Sequence, residues 1–211
     1  RHALPLPLPT RRGGFGGADG FADYLRAEKI TAVLDATHPF AARITARSRA
    51  VCDQLGVPYR QLLRPSWAPG SRDRWHSVPN AAAAVALLPK SVTVFLATGR
   101  QTVGAFAGLG TRRVFVRVID PPKSAFPFAE GGFIVGRPPF TLSDETALFA
   151  RLGVDWLVAK NSGGAEGRAK FDAARNLGLP VAMIDRPKGP RDRVFTSVSA
   201  ALDWARQEVK V

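Results

Sequence analysis

Asp35-Ala36-Thr37-His38-Pro39-Phe40-Ala41 separates two segments of different periodicity. Before it runs Ile30-Thr31-Ala32-Val33-Leu34, a short apolar, β-branched run that suits a strand buried on both faces. After it, residues 42–55 place Ile44, Ala46, Val51 and Leu55 near helical spacing, with arginines between them. The stretch is therefore a strand-to-helix turn. In an open parallel sheet such turns lie at the carboxyl ends of the strands, where ligands bind. Pro39 suits the first helical turn, where its missing N–H is not needed. Thr37 is the expected cap. Asp35 and His38 either brace the turn, with a bond between them, or carry chemistry.

Working outward, Arg11-Arg12-Gly13-Gly14-Phe15-Gly16-Gly17 is a glycine-rich loop behind two arginines. It fails as a dinucleotide fingerprint, because Gly14-x-Gly16 requires a small residue where Asp19 stands. Its glycines still permit close backbone approach to a ligand, a solvent-exposed hinge being the alternative. Residues 19–28 read as a helix with Phe21, Tyr24 and Leu25 on one face. Gly56-Val57-Pro58 ends the helix of residues 42–55, and residues 59–63 form the next strand. Residues 64–77 read as irregular, with Trp67 and Trp75 packed in a core or interface, or forming a recognition loop. Residues 80–88 read as a helix capped by Asn80. The boundary between two lobes is expected here, giving residues 1–78 and 79–211.

The second half alternates. Strands are expected at residues 92–97, 114–119, 132–135, 156–159 and 181–184. Helices are expected from Thr102, over residues 143–152 with Ser143 as cap, over 166–177, and over 197–208 with Val198, Ala201, Leu202 and Ala205 inward. Repeated strand, polar turn and helix define an α/β protein with two Rossmann-like lobes, each a parallel sheet flanked by helices, and a cleft between them.

The strand ends carry Asp35/Thr37/His38, Arg64, Thr98/Arg100/Gln101, Asp120, Arg137, Lys160/Asn161/Ser162 and Asp185/Arg186. Five of these seven turns hold a cation, so the edge they share suits an anionic ligand. Lys160-Asn161-Ser162-Gly163-Gly164 is the strongest single anion site by sequence, with glycine-freed N–H groups beside a lysine. The net charge of +13 is spread evenly, +7 over residues 1–90 and +6 over residues 91–211, and forms no basic tail. Nucleic acid, a phosphorylated cofactor, a polycarboxylate, or the arginine enrichment of a high-GC genome each account for it. Helix-turn-helix, zinc and RNP signatures are lacking, which disfavours nucleic acid, and no metal site is expected. No apolar run approaches the roughly 20 residues of a membrane helix. The single Cys52 suits a reducing cytoplasm.

These turns also carry a resemblance. Gly13-Gly14-Phe15-Gly16-Gly17, residues 35–41, Arg64-Pro65-x-Trp67, Thr98-Gly99-Arg100-Gln101, Arg137-Pro138-Pro139-Phe140, residues 160–164 and Asp185-Arg186-Pro187 occur in this order in the precorrin-6A reductase family of cobalamin biosynthesis. The chain resembles that family over nearly its whole length. The resemblance implies an NADPH-dependent reduction of one carbon–carbon double bond of precorrin-6A, or of its cobalt-containing counterpart. It implies a polycarboxylate tetrapyrrole as partner, and a monomer or weak homo-oligomer free of nucleic acid and membrane. Within that reading, turn position and charge place the cofactor at Arg1, Gly13, Gly14, Phe15, Gly16, Thr37, His38, Pro39 and Phe40. The same inference places the substrate at Arg64, Thr98, Arg100, Gln101, Arg137, Phe140, Lys160, Asn161, Ser162, Gly163, Gly164 and Arg186, with His38, Asp35 and Lys160 as catalytic candidates. Family members begin with a strand and a Gly-Gly-Thr-like turn that nothing here matches. About 30 to 40 residues of β-α-β structure are therefore expected to be missing ahead of Arg1.

Overall fold

A computed structural model describes residues 8–190 and 192–208, so Arg1 lies outside the described residues. In chain order the elements are α1 (Ala18–Ala27), β1 (Val33–Asp35), α2 (Ala42–Leu55), β2 (Tyr59–Leu62), β3 (Trp75–Val78), α3 (Ala81–Leu87), β4 (Thr93–Ala97), a 3-10 segment (Arg100–Leu109), β5 (Arg113–Val118) and β6 (Glu130–Val135). There follow α4 (Leu142–Leu152), β7 (Trp156–Lys160), a short 3-10 turn (Ala165–Gly167), α5 (Ala169–Asn176), β8 (Val181–Ile184), β9 (Val194–Phe195) and α6 (Val198–Glu208). The described chain forms two compact units. The first holds the residues up to Thr37, Ala41–Leu63, and those from Pro190 onward; the second holds His38–Phe40 and Arg64–Gly189.

The first unit is a parallel sheet of order β1-β2-β9, with Val33 opposite Tyr59 and Gln61 opposite Val194. Its core joins Phe21 and Leu25 of α1 to Val51 and Cys52 of α2 and Tyr59 of β2. Gly56, at φ 66°, closes α2 in the left-handed region. The returning C-terminal segment is tied down by Arg49, which grips Asp192 bidentately at 2.9 and 2.8 Å, and by Arg193, which bonds Asp53.

This division differs from the boundary expected after residue 78. Residues 64–78 belong to the second unit because Trp67 and Trp75 pack on Phe171 and because β3 pairs with β8. The last segment belongs to the first unit because β9 extends its sheet. In α6 the inward side chains are Ala201 and Trp204, while Val198 and Leu202 are 62% and 47% exposed. The large Trp204 ring sets the buried face, packing 6.1 Å from Phe195 with Arg60 above it.

The second unit is a six-stranded parallel sheet of order β3-β8-β7-β4-β5-β6. Alternate side chains of its strands enter two cores. Val94, Leu96, Val114, Val116 and Val158 face α3 and the Arg100–Leu109 segment through Ala84, Leu88, Val103 and Phe106. Phe95, Phe115, Leu157, Ala159 and Met183 face α4 and α5 through Phe149 and Phe171. Strands buried on both faces are near-continuous apolar runs, as β4, β5 and β8 are. The chain winds outward from β4 to β6, returns to β7, and winds the other way to β8. The topological switch point therefore lies between β4 and β7, and the ligand crevice of such a sheet opens there at the carboxyl ends.

Local chemistry sets the helix starts. The Asn80 carboxamide accepts the Ala83 N–H at 2.9 Å, as its position predicts. The cap of α4 is Thr141 rather than Ser143, in a reciprocal capping box with Asp144. The helix expected over residues 166–177 is shorter, because Gly163 and Gly164 sit at φ 69° and 91° and hold the chain in a turn before α5.

Candidate functional site

At the end of β1 the Asp35 carboxylate is 7% exposed and both oxygens are engaged. One accepts the Thr37 N–H at 2.8 Å and the other accepts the Tyr59 hydroxyl at 2.8 Å. Burial, and then this bond, push the Tyr59 phenol well above its ordinary range. Thr37 does not cap α2. Its hydroxyl meets that of Thr45 at 3.2 Å, and the capping position is Ala41, which offers no side-chain acceptor. Pro39 accordingly precedes the helix. His38 Nδ1 accepts the Phe40 N–H at 3.2 Å, which puts the ring proton of a neutral imidazole on Nε2. Phe40 packs against the second unit's core, and the Lys160 ammonium lies 5.4 Å from its ring.

The glycine loop holds Gly13, Gly16 and Gly17 at positive φ, which only glycine adopts without strain. Arg11 donates to the carbonyls of Gly13 and Gly14 at 3.1 and 3.0 Å and covers the Phe15 ring at 4.5 Å. Phe15 itself stacks on Phe21 and Tyr24, so its ring braces the loop. The loop delivers the chain to α1, whose capping position is Gly17, which offers no side-chain cap.

At the carboxyl edge of the six-stranded sheet a pocket of about 240 Å³ is lined by Arg64, Trp67, Ala97, Arg117, Pro138, Phe140, Glu145, Ser162, Gly163, Glu166, Gly167, Ala169 and Lys170. Its walls are fixed from behind. Trp67 donates its indole N–H to the Gly164 carbonyl at 2.8 Å, and its backbone pairs with the Asn161 carboxamide at 2.8 and 3.0 Å. Gly163 lies so close to Pro65 that a Cβ there would stand 2.0 Å from the Pro65 carbonyl oxygen. Arg186 donates Nε–H to the Asn161 carbonyl, holding the same turn from β8. Arg117 of β5 grips Glu145 of α4 bidentately at 2.8 and 3.1 Å, with Glu145 only 2% exposed. The Arg117 guanidinium lies 4.1 Å from the Phe140 ring and 5.1 Å from Phe95. Lys170 sits beside this pair, and burial pushes its ammonium down to about 8.

Of the substrate candidates, Arg64, Phe140, Ser162 and Gly163 line the pocket. Asn161, Gly164 and Arg186 stand behind it as supports. Thr98 is 6% exposed, while Arg100 and Gln101 lie on the exposed start of the 3-10 segment. Arg137 pairs with Asp120 on the surface rather than lining the pocket. Lys160 is half-buried over Phe40, and burial lowers its ammonium from the usual lysine range. Sequence reading missed Arg117, Glu145 and Lys170 as pocket groups. Arg117 had a signal: one charged residue inside Val114-Phe115-Val116-Arg117-Val118, where a doubly buried strand admits a charge only with a partner. Among the described residues, no group of three or more His, Cys, Asp or Glu could hold a metal ion, and no helix is long and apolar enough to cross a membrane.

Two parallel sheets flanked by helices, with a basic pocket at the carboxyl edge of the larger, define an α/β protein of Rossmann-like design. The family model for precorrin-6x reductase CbiJ/CobK matches residues 1–206. The chain belongs to that family. A precorrin-6A reductase of Rhodobacter capsulatus is 43% identical over 199 residues, covering 94% of this chain and 79% of that protein. Another, from Rhodococcus erythropolis, is 45% identical over 202 residues, covering 94% and 81%. A cobalt-precorrin-6A reductase of Methanothermobacter thermautotrophicus is 29% identical over 200 residues, covering 88% and 65%. A solved structure of CobK precorrin-6A reductase superposes with a TM-score of 0.92 at 42% identity, covering 96% of this chain and 84% of that one.

Proposed function

We propose that this protein reduces one carbon–carbon double bond of precorrin-6A with NADPH, giving precorrin-6B in cobalamin biosynthesis. The observation that carries the reading is identity of 43–45% to precorrin-6A reductases over nearly the whole chain. The metal-free substrate is favoured over the cobalt form because the cobalt-precorrin-6A reductases are 29% identical.

The glycine loop and the start of α2 fit a phosphate-bearing cofactor. Gly13, Gly14, Gly16 and Gly17 have open space where a Cβ would be, so a ligand can approach their backbone. Helix α2 begins without a side-chain cap and without an acidic residue in its first turn, which carries Arg43. Such an end accepts an anion. In this reading Gly13 to Gly16 and Thr37 to Phe40 hold the dinucleotide, and Arg1 meets the 2′-phosphate. The nicotinamide, when bound, supplies the hydride. Arg64, Ser162, Gly163 and Phe140 receive the substrate, with Lys160, Arg100 and Arg186 adding positive charge. Arg137 joins them only by exchanging Asp120 for a substrate carboxylate. His38 is the proposed holder of the second hydrogen, as a proton on Nε2.

The test mixes the protein with NADPH and precorrin-6A and follows NADPH absorbance. A fall with formation of precorrin-6B supports the reading. No fall, while a known precorrin-6A reductase consumes NADPH in the same mixture, overturns it.

A further inference from the structure

Lys170 is the second residue of α5 and lines the pocket at the carboxyl edge of the six-stranded sheet. Its nitrogen lies 5.1 Å from the Trp67 ring and 4.6 Å from Phe171, and it donates to the Gly167 carbonyl at 2.5 Å. The charged groups around it are Arg117 of β5, Glu145 of α4, Arg64 ahead of β3 and Glu166 of the short 3-10 turn. Glu145 is taken by Arg117 at 2.8 and 3.1 Å, and among the described residues no carboxylate pairs with Lys170. A lysine with aromatic surroundings and no counter-ion holds its proton weakly. Burial lowers this one to about 8. At about pH 7.5 roughly a quarter of it is neutral amine, against about one part in a thousand for a lysine in water. The neutral amine is a nucleophile, and its lone pair stays open while one N–H bonds Gly167.

The rest of the pocket describes the electrophile. A volume of about 240 Å³ is below the roughly 300–1,000 Å³ of a drug-sized site, so the molecule is small. Trp67, Ala97, Pro138 and Phe140 give it apolar walls. Arg64 lines the same space, and its guanidinium makes no hydrogen bond or ion pair among the described residues. A small aldehyde with an anionic group meets both demands, its carbonyl carbon at Lys170 and its anion at Arg64.

We propose that Lys170 is a covalent acceptor, forming an imine with a small anionic aldehyde whose anion sits at Arg64, and that this imine closes the pocket. The lone pair of the neutral amine forms a bond to the carbonyl carbon. The carbonyl oxygen takes up both protons of the nitrogen and departs as water. A carbon–nitrogen double bond replaces the carbon–oxygen one, and no oxidant or reductant enters. Water reverses the step, so occupation follows the aldehyde concentration. The effect on turnover rests on the substrate reading of this pocket; the covalent bond does not.

The test mixes the full chain with pyridoxal 5′-phosphate at about pH 7.5, reduces the imine with borohydride and maps the label by peptide mass. Lys170 should be labelled about 10- to 100-fold faster than the exposed Lys29, Lys90, Lys123 and Lys188. Turnover of precorrin-6A should fall in step with the labelled fraction. The rate advantage of pyridoxal 5′-phosphate over pyridoxal, which lacks the phosphate, should shrink about tenfold in Arg64→Met. Label spread evenly over the exposed lysines overturns the proposal, and so does label at Lys160 in place of Lys170. An advantage unchanged in Arg64→Met overturns the place given to the anion. Full labelling with undiminished turnover overturns the closure of the pocket. An unlabelled protein that does not oxidise NADPH in the presence of precorrin-6A fails the reductase reading, and the label then decides the covalent site by itself.

Discussion

Asp35 and Glu145 are both buried carboxylates, and each takes its side-chain hydrogen bonds from one strand residue, Tyr59 and Arg117 respectively. Removing one partner therefore costs more than the bond itself is worth, because a buried acceptor is left short. Tyr59→Phe should lower stability by about 1–3 kcal/mol in urea unfolding. Arg117→Met and Glu145→Met should each cost about 3–5 kcal/mol, while R117M/E145M should cost less than their sum. Additive losses would show that the pair is not coupled. The two perturbed groups near these pairs act on stability with opposite signs. The Tyr59 phenol is raised, so its contribution is present below its unfolded value of about 10 and lost as pH climbs past it. The Lys170 ammonium is lowered, so between about pH 8 and 10 the unfolded chain holds the proton that the folded one releases, and stability rises with pH. The unfolding midpoint of wild type measured against K170M should therefore climb from about pH 7.5 to about pH 9.5. A difference that stays flat would contradict it. At this scale the sequence was least informative. It marked Asp35 and His38 by position, but nothing near Glu145 announces a partner 28 residues away.

Among the elements, interior strands were the most legible and the ends of helices the least. The apolar runs of β4, β5, β7 and β8 declare doubly buried strands before any pairing is known. By contrast β3 is the edge strand beside β8, and its Trp75-His76-Ser77-Val78 lacks such a run. Only two residues of β9 pair, too few for any pattern. Helix caps turn on single side chains one or two positions apart, which is why Thr141 replaces Ser143. Thr141→Ala should therefore destabilise by about 1 kcal/mol, with kcat and KM unchanged. Gly163→Ala should be far worse for its size. It forces a side chain to φ 69° and into the Pro65 carbonyl. The expected loss is at least about 2 kcal/mol, with a raised KM for the tetrapyrrole because the pocket wall moves. A KM equal to wild type would separate this turn from substrate binding.

For the whole molecule, the charge of +13 belongs to both halves of the sequence and is the excess left once every carboxylate is set against a base. Arg49, Arg117, Arg137, Arg175 and Arg193 all hold carboxylates. The excess acts at long range as a field that draws in polyanions. Raising ionic strength from about 0.05 to about 0.5 M should raise the KM for the polycarboxylate several-fold and leave kcat within about twofold. An unchanged KM would confine recognition to buried contacts. The α/β class and repeating turns were readable from sequence. The assignment of residues 64–78 and of the C-terminal segment was not, because it depends on which distant strand each one joins.

The return of β9 to β2 also imposes an order on biosynthesis. Residues 64–189 are contiguous and are all synthesised before Val194 and Phe195, so the smaller sheet stays incomplete while the whole of the six-stranded unit is being made. Through that interval the outer edge of β2 is an open row of backbone donors and acceptors, a template for a neighbouring nascent chain. Pairing with β9 shuts that edge, and Arg49 and Asp53 stand ready on α2 to anchor the arriving segment through Asp192 and Arg193.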